Sequence, residues 1–422
     1  ARPVREVART VAGETAEDWR LERELSLLGL GEEFLPRSFA TLSPGEQTRV
    51  LLAALFLQEN CYPLIDEPTN HLDAQGRARL GRYLRGQRRG FLLVSHDRAL
   101  LNDCVDHILS LERSGPLLLQ GNYDDWQRET DRRDARELAE NQRLAGEIDH
   151  LQAGMRRASA WSDKIEKSKF STRNSGLRVD RGYVGHQSAR MMKRAKVIEA
   201  RQQKAVEEKA ALLKDLETAE PLKLHPLEHP ADCLVRCQDL TVQYGERPVF
   251  SGLGFELDAG ERLALTGPNG CGKSSLLRLV CGGKVPHSGR CDTASGLVVS
   301  ILPQTPEEFS GTPMDYAEAY GVDKSLFLAI LRKLGFERVQ FGKPVGVLSA
   351  GQRKKLMLAR SLCQPAHLYL WDEPLNYIDV LSRRQIEELI LQYRPTLLFV
   401  EHDRAFCSRI ATRTLPVGAA QD

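Results

Sequence analysis

The same pattern of polar residues occurs twice in this chain of 422 residues, at a constant offset of 306 positions. A serine-X-glycine motif begins at Ser43 and again at Ser349. A glutamate that follows an aspartate ends an apolar run at Glu67 and again at Glu373. Two unrelated segments would not keep this register by chance, so the chain contains two homologous copies of one unit. This repeat constrains the fold more than any other feature.

The second copy contains a segment that the first copy does not match. The remaining pairs at the same offset are Asp73 and Asp379, and His96 and His402. Subtracting 306 from Lys273, however, gives a position before the chain begins. We therefore expect residues 1–125 to be the C-terminal part of a first, N-terminally truncated copy. Residues 233–418 are expected to be a complete second copy.

The composition indicates a globular, cytoplasmic protein. Charged residues make up 27% of the chain and the formal net charge is only +2. No apolar stretch approaches the roughly 20 residues that span a membrane, so no membrane association is expected. Of the nine cysteines, only Cys233 and Cys237 are close in sequence, and no second pair follows at zinc-site spacing, which favours reduced thiols.

Short apolar runs indicate an α/β fold in both copies. The second copy has a predicted strand that begins at Leu368 and ends in the carboxylates Asp372 and Glu373, and another at Leu397–Val400. The first copy has predicted strands at Tyr62–Ile65 and Phe91–Val94. Continuous apolar strands are typical of parallel sheets that are buried on both faces. We expect such a sheet in each copy.

A long charged segment, residues 126–220, separates the two copies. Apolar residues repeat with 4-3 spacing over 144–165 and again over 191–216, which predicts two helices with heptad seams. The polar stretch 168–186 interrupts the pattern. The simplest structure is a long antiparallel helical hairpin with this stretch as its tip loop, followed by a proline-containing linker at 221–232.

The sequence Gly-Pro-Asn-Gly-Cys-Gly-Lys-Ser at 267–274 matches the phosphate-loop pattern G-x-x-x-x-G-K-[ST]. It follows an apolar strand and precedes an apolar helix, which is the context that phosphate binding requires. Lys273 is expected to reach the β- and γ-phosphates, and Ser274 to hold Mg²⁺. The predicted nucleotide-binding residues of this loop are Gly267, Asn269, Gly270, Gly272, Lys273, Ser274 and Ser275.

Four further residues of the second copy are expected to act on the nucleotide. Asp372 would position Mg²⁺ through water, Glu373 would polarise the attacking water, and His402 would contact the γ-phosphate or that water. Gln304 would sense Mg²⁺ and the γ-phosphate. An isolated histidine or glutamine is more often structural, but the order and spacing after a phosphate loop favour the functional interpretation.

The two Ser-X-Gly motifs each begin a predicted helix. Taken alone, Ser43 with Glu46 and Ser349 with Gln352 are helix caps. Together with the phosphate loop they resemble the signature motifs of ATP-binding cassette ATPases, in which two cassettes pair head to tail. The resemblance implies that Ser43, Gly45 and Glu46 complete the ATP site of Lys273. It implies a reciprocal site formed by Ser349, Gly351, Gln352, Asp66, Glu67 and His96, with Asp66 near Mg²⁺.

Tyr244 precedes Lys273 by 29 residues. The resemblance implies that its ring stacks on adenine, and a core strand aromatic is the alternative.

Within this superfamily the chain resembles the ABC-F ATPases. The first copy reads Asp-Glu-Pro-Thr-Asn-His-Leu-Asp at 66–73, and the predicted hairpin lies between the cassettes instead of inside one. The second copy departs, with Leu375, Tyr377 and Glu401 at positions where the first has Thr69, His71 and Ser95. These variants resemble the subgroup that protects ribosomes against lincosamides, pleuromutilins and streptogramin A.

The resemblance implies a monomer with paired cassettes that binds the ribosomal tRNA exit site and contacts 23S rRNA and peptidyl-site tRNA. A housekeeping translation factor of the same family is the alternative. A transporter ATPase is a weaker alternative because it would not need the hairpin. DNA-repair ATPases place their coiled coil inside a cassette, so no DNA partner is expected.

The charge of the hairpin independently suggests an RNA partner. Between Met155 and Lys204 there are fourteen basic residues and four acidic ones. Such an excess attracts phosphates, and Trp161, Phe170 and Tyr183 are available to stack on unpaired bases. The alternative is a solvated coiled-coil face, which does not explain the sign of the bias.

Overall fold

The computed structural model divides the chain into two compact units. One unit combines Ala1–Tyr123 with Ala219–Asp422, and the other is Asp124–Thr218. The predicted tip loop beyond residue 168 and nearly all of the second heptad segment lie outside the described residues. The described residues are 2–13, 17–59, 61–112, 115–168, 200–201, 204, 222–245 and 247–418.

The described N-terminal part combines helices with two small sheets. Its helices are α1 Val4–Ala12, α2 Asp18–Leu27, α3 Pro44–Leu57, α4 Ala74–Arg85 and α5 Arg98–Cys104. Its strands are β1 Leu64–Asp66, β2 Leu92–Val94, β3 His107–Glu112 and β4 Gly115–Gln120. Strands β1 and β2 are parallel, with Leu64 opposite Leu92, whereas β3 and β4 form an antiparallel hairpin that the sequence did not predict.

A helix of 46 residues, α6 Tyr123–Ser168, follows this part of the chain. Leu144 on this helix is buried, and Ile148 and Leu151 are half-buried, in agreement with the predicted apolar seam. The predicted first arm is therefore helical along its whole length.

The C-terminal part contains two larger sheets. Its strands are β5 Cys233–Tyr244, β6 Arg247–Asp258, β7 Arg262–Thr266, β8 His287–Thr293, β9 Val299–Leu302, β10 Leu368–Asp372, β11 Leu397–Val400 and β12 Arg413–Pro416. Its helices are α7 Lys273–Val280, α8 Pro313–Ala319, α9 Lys324–Lys333, α10 Ala350–Cys363, α11 Val380–Tyr393 and α12 Arg404–Ile410. The main sheet is parallel with the order β12-β7-β11-β10-β9, and the other is antiparallel with the order β6-β5-β8.

The central strands of the parallel sheet are buried on both faces, as predicted. Along β10, Tyr369 and Trp371 pack into one apolar cluster, while Leu368 and Leu370 pack into another. Alternate side chains of a strand point to opposite faces, so helices and strands must cover both. The covered sheet places the ends of β7, β10 and β11, with their polar residues, along one edge.

The same prediction is wrong for the N-terminal sheet. Leu64 is 69% exposed, whereas Leu370, 306 positions later, is 1% exposed. Leu92 and Val94 are also exposed, although their counterparts Leu398 and Val400 are buried. In the C-terminal part this face is covered by the cluster that includes β5, β6 and α7. No described element covers the corresponding face of β1 and β2.

The predicted linker is partly built into the core. Leu222 and Leu224 are buried in the same cluster as Trp371. The N–H of Leu227 donates to the carbonyl of Ala366 at 2.8 Å. The described end of the linker is therefore held against the C-terminal part. No described helix is both long and apolar enough to cross a membrane.

All nine cysteines are free thiols, but the closest pair differs from the one that is close in sequence. Cys237 on β5 lies opposite Cys291 on β8, with 2.7 Å between their sulfur atoms. Strand pairing brings these two together across 54 residues.

Candidate functional site

The loop between β7 and α7 has a backbone that only glycine tolerates. Gly267, Gly270 and Gly272 have φ angles of 145°, 82° and 95°. A Cβ atom would lie 2.5 Å from the Val417 carbonyl oxygen at Gly267, and 2.8 Å from Phe250 at Gly272. Gly272 also begins α7 without a side-chain cap, so the first N–H groups of the helix face the loop. This is an anion-binding arrangement.

Lys273 lies inside the loop. Its side chain is buried, and Nζ donates to the carbonyl oxygens of Gly267 at 2.8 Å and Pro268 at 2.9 Å. The two carbonyls thus hold the ammonium group where an anion in the loop would meet it.

Asp372 ends β10 and contributes a buried carboxylate. Burial raises the pKa of Asp372, and a hydrogen bond from Ser274 opposes this shift. Among the described residues, none donates a hydrogen bond to Asp372 Oδ1. A buried oxygen without a donor is unfavourable, so this atom suits a cation or its water. Asp66, 306 positions earlier, is exposed instead.

Glu373 collects several of the predicted residues around one carboxylate. Gln304 Nε2 donates to Glu373 Oε1 at 2.8 Å, and Asn376 donates to Oε2. His402 is buried, with Nε2 at 3.7 Å from Oε1, too far for a hydrogen bond. Glu373 has a φ of 48°, a left-handed conformation that is unfavourable for glutamate and often marks functional positions.

The protonation state of Glu373 follows from these contacts. Burial by itself raises the pKa of Glu373, but the neighbouring His402 and Gln304 outweigh it, and the pKa lies below its ordinary value. The carboxylate is therefore ionised at neutral pH and can accept a proton from water. Gln304 was predicted to sense Mg²⁺ and the γ-phosphate, and in this structure its amide contacts Glu373.

Glu67 has the same backbone but a different electrostatic environment. Its φ is 43°, and its N–H donates to the Val94 carbonyl at 2.8 Å, as that of Glu373 does to Val400 at 2.9 Å. His96 Nε2 lies 3.5 Å from Glu67 Oε1. Burial raises the pKa of Glu67 to about 7, although Arg383 opposes the shift. The two glutamates thus differ in charge near neutral pH.

The pKa of His96 lies below its ordinary value. Burial is the main cause, and the positive charge of Arg383 adds to it. His96 is therefore a neutral imidazole at physiological pH.

Both signature motifs form capping boxes at the starts of helices. Ser43 accepts from the Glu46 N–H, and the Glu46 carboxylate accepts from the Ser43 N–H. Ser349 and Gln352 repeat this arrangement on α10. The helix-cap interpretation is thus correct locally, and it leaves a role in nucleotide binding open because a capped helix start still presents N–H groups.

The first signature glycine and the phosphate loop meet at one carbonyl. A Cβ atom on Gly45 would lie 2.6 Å from the His71 carbonyl oxygen. Asn269 Nδ2 donates to the same oxygen at 3.3 Å. A second contact joins the N-terminal and C-terminal parts, because Arg383 donates to the His96 carbonyl at 2.8 Å. Residues of the N-terminal part therefore adjoin the Lys273 loop.

Gly351 packs against Tyr377 in the way that Gly45 packs against His71. A Cβ atom on Gly351 would lie 3.1 Å from the Tyr377 carbonyl oxygen. Among the described residues, however, no second phosphate loop stands near Ser349, Gly351 and Gln352. Within the described part of the chain, a phosphate loop thus adjoins Gly45 of the first motif, and none adjoins the Ser349 motif.

Tyr244 lies at the end of β5, beside the phosphate loop. It is 48% exposed, and its hydroxyl lies 3.1 Å from the Ser275 hydroxyl. Because the ring is half exposed at the loop, its place fits a stacking surface better than a core aromatic.

Sequence reasoning missed Lys354 on α10. It is 1% exposed, and its ammonium donates to the carbonyls of Asp372 at 2.9 Å and Pro303 at 3.0 Å. Burial lowers the pKa of Lys354 to about 8. Lys354 thereby connects the loop that contains Gln304 to the end of β10. One sequence signal could have found Lys354. It lies four residues before the buried Leu358, and therefore on the apolar face of the helix.

Comparisons with known proteins identify a matching family and several relatives. The ABC transporter family profile matches residues 250–376. The chain is 28% identical over 389 residues to the ribosome protection protein VmlR of Bacillus subtilis, covering 90% of this chain and 69% of that protein. It is 30% identical over 404 residues to the energy-dependent translational throttle protein EttA of Escherichia coli K12, covering 94% of this chain and 67% of EttA.

A solved structure shares the fold. The archaeal ribosome recycling factor aABCE1, in complex with the ribosomal stalk protein aP1, superimposes with a TM-score of 0.63 at 21% identity. The match covers 98% of this chain and 68% of that one. The chain thus spans about two thirds of the length of these proteins.

Proposed function

Because this chain belongs to the ABC-F family of ATP-binding cassette ATPases, we propose that it is a ribosome-binding ATPase. In this proposal it acts in the cytoplasm and protects the ribosome against antibiotics of the peptidyl-transferase centre. The observation that carries the ATPase part is the cluster of Gln304, Asn376 and His402 around the ionised Glu373, next to the phosphate loop.

The residues at the loop fit ATP and Mg²⁺. The left-handed glycines and the start of α7 offer N–H groups to phosphates, and Lys273 offers a positive charge. Ser274, Gln304 and Asp372 would hold Mg²⁺, with Asp66 as the counterpart in the reciprocal site. Bound Mg²⁺ neutralises phosphate charge. Glu373 would accept the proton of the attacking water while His402 faces the same carboxylate.

We further propose that the chain comprises two cassettes that pair head to tail. Ser43, Gly45 and Glu46 would complete the nucleotide site of Lys273. The shared contact of Gly45 and Asn269 with the His71 carbonyl supports this assignment. The reciprocal site would use Ser349, Gly351 and Gln352 with Asp66, Glu67 and His96.

The helical hairpin would be the RNA-binding element. Its excess of ten positive charges between Met155 and Lys204, counted above, suits rRNA and the acceptor arm of peptidyl-site tRNA. The names of the relatives VmlR and EttA both refer to the ribosome or to translation. ATP binding would place the hairpin, and hydrolysis would release it.

A housekeeping translation factor is the second candidate, and the residues around Glu401 support the resistance role over it. Glu401 replaces the serine of the first copy and is buried. Its carboxylate accepts from the N–H groups of His402 at 2.7 Å and Leu375 at 3.2 Å. Leu375 and Glu401 are two of the departures that resemble the resistance subgroup, and in this structure the Glu401 carboxylate accepts from the Leu375 backbone.

Sedimentation with ribosomes tests the general proposal. We expect the protein to pellet with ribosomes in the presence of ATP, but not with membrane vesicles or duplex DNA. Reversal of Arg190, Lys193, Arg194 and Lys196 to glutamate should weaken ribosome binding without changing nucleotide affinity. Equal pelleting of this variant and the parent would refute the hairpin assignment.

A susceptibility assay tests the specific role. A drug-sensitive bacterium that expresses the protein should gain resistance to lincosamides and pleuromutilins. Shortening the loop 168–186, with both helices retained, should abolish protection while ATPase activity and ribosome binding persist. No protection by the intact protein would make the housekeeping role the better assignment.

A further inference from the structure

An arginine-rich surface lies on the N-terminal part, far in sequence from the basic hairpin. Residues 74–96, which include α4 and the loop after it, contain six arginines and neither aspartate nor glutamate. The corresponding residues 380–402 contain three arginines and three glutamates. Because both segments form the same helix and strand, the fold itself does not require the extra positive charge.

Part of this charge has a structural role. Arg77 pairs with the buried Asp97 at 3.2 Å, and Arg85 pairs with Asp103 at 2.7 Å. Arg89 donates to the Gln58 carbonyl at 2.5 Å. These three arginines are accounted for by the packing of the N-terminal part.

The other three arginines have no such role. Arg79, Arg82 and Arg88 form no ion pair with any carboxylate in the part of the chain that the structure describes. Arg82 and Arg88 are exposed, and Arg79 is half-buried with its guanidinium over Gly29. Arg82, in the last turn of α4, also complements the helix dipole, but Arg79 and Arg88 lie outside that turn.

Arg79 and Arg82 border a cleft between α2 and α4, and Arg88 follows Gln87, which lines the same cleft. The cleft has a volume of about 610 Å³ and is lined by Arg23, Leu27, Arg79 and Arg82, among others. One carboxylate, the buried Glu24, also lines it and contacts Arg23 at 3.1 Å. The cleft is therefore positive, with three arginines against one glutamate.

An exposed aromatic ring continues the same side of α2. Trp19 is 55% exposed, and spacings of four residues place Trp19, Arg23 and Leu27 on one face of the helix. At a rise of about 1.5 Å per residue, the eight residues from Trp19 to Leu27 span roughly 12 Å. The positions 306 residues after Trp19 and Arg23 are Ser325 and Ala329 on α9. These two side chains of α2 are therefore again specific to the N-terminal part.

From this combination, we propose that the surface formed by Trp19, Arg23, Arg79, Arg82 and Arg88 is a second RNA-binding site. Guanidinium groups bind phosphate oxygens in pairs, and an exposed indole stacks on an unpaired base. This surface, the α2–α4 face, contacts the phosphate backbone of single-stranded or looped ribosomal RNA. The inference rests on the proposed ribosome binding and adds a contact outside the hairpin.

Salt dependence measures phosphate contacts at this face. The parent and the triple variant Arg79→Ala, Arg82→Ala, Arg88→Ala are titrated with ribosomes and with protein-free large-subunit rRNA from 50 to 300 mM KCl. We expect the variant to lose roughly tenfold in affinity at low salt and about 2 to 3 in the slope of log K against log salt. The matched control is Arg290→Ala, Arg338→Ala, Arg384→Ala, which should change neither value.

Each outcome of the titration decides the inference. Equal slopes for the triple variant and its control, at equal melting temperatures, overturn it. Weaker binding of the triple variant to ribosomes but equal binding to protein-free rRNA also overturns it, because the partner is then an acidic protein. If the parent does not bind ribosomes, the proposed function fails, and the rRNA titration still decides the α2–α4 face. In a Trp161→Phe background, which removes the hairpin tryptophan, Trp19→Leu should remove most of the fluorescence quenching that rRNA produces.

Discussion

Arg98 of the N-terminal part lies 2.9 Å from a carboxylate oxygen of Glu387, which is fully buried in the C-terminal part. Arg409 reaches the other oxygen of Glu387 at 2.7 Å. The position 306 residues before Glu387 is Gly81, so the repeat offers no equivalent pair on the other side. The N-terminal and C-terminal parts are therefore joined by an ion pair that has no equivalent at the positions related by the repeat.

The first prediction concerns this ion pair. Glu387→Gln should lower the free energy of unfolding by about 3 kcal/mol, because it leaves the largely buried Arg98 without its counter-charge. Glu388→Gln is the control, since Glu388 is exposed and pairs with Arg384 on the surface. That change should cost less than about 0.5 kcal/mol. Denaturant titration measures both changes. Equal midpoints for the two variants would show that Glu387 contributes no such stabilisation.

The second prediction concerns hydrolysis at the Lys273 site. Glu373→Gln should leave ATP affinity within about threefold of the parent and reduce turnover by a factor of about 100 or more, because the carboxylate acts on water and not on phosphate. Lys273→Ala should instead abolish binding. Equilibrium binding of a fluorescent ATP analogue and phosphate release measure the two effects. A Glu373→Gln variant with parental turnover would assign the proton acceptor elsewhere.

The third prediction compares one substitution at two related positions. Leu370→Gln should cost about 3 kcal/mol or more, because it buries an amide in the apolar cluster around β10. Leu64→Gln should be nearly neutral and should reduce self-association, because Leu64 is exposed beside the apolar Leu92. Thermal melting and light scattering measure the two effects. Similar destabilisation by both changes would mean that the β1–β2 face is covered.

The fourth prediction concerns pH. The folded pKa of Glu67 is raised to about 7, so its contribution to stability is greatest below the unfolded value and is lost as pH rises towards 7. The pKa of Glu373 is lowered, so its contribution has the opposite sign and is lost as pH falls below about 4.5.

Two variants separate these contributions. Relative to the parent, Glu67→Gln should gain stability between pH 5 and pH 8, by at most about 3 kcal/mol. Glu373→Gln should show no such gain over that range. Denaturant midpoints at pH 5 and pH 8 test this prediction. If the midpoint of Glu67→Gln changes between the two pH values as much as that of the parent, the pKa of Glu67 lies near its ordinary value.

Much of the fold follows from local signals along the chain. The strand Leu397–Val400 was predicted to the residue, and the strand predicted from Leu368 ends at the first of its two carboxylates, because the apolar runs end at polar residues there. Helix α3 begins directly after the capping Ser43, where the Ser-X-Gly motif predicted a helix start. The pairing of β3 with β4 was missed, although Ser114-Gly115, where the two strands meet, is a turn signal in the sequence.

The sequence alone determined the identity of the loop at 267–274, the register of the repeat and the residues that could serve each copy. Glycines in left-handed conformations and carboxylates at strand ends have few other uses, and a fixed offset preserves their order. Tertiary structure decided how equivalent residues differ. Glu67 and Glu373 have the same backbone but opposite pKa shifts, and Leu64 and Leu370 have opposite exposure. Burial and electrostatic environment depend on residues distant in the chain, and no local pattern contains that information.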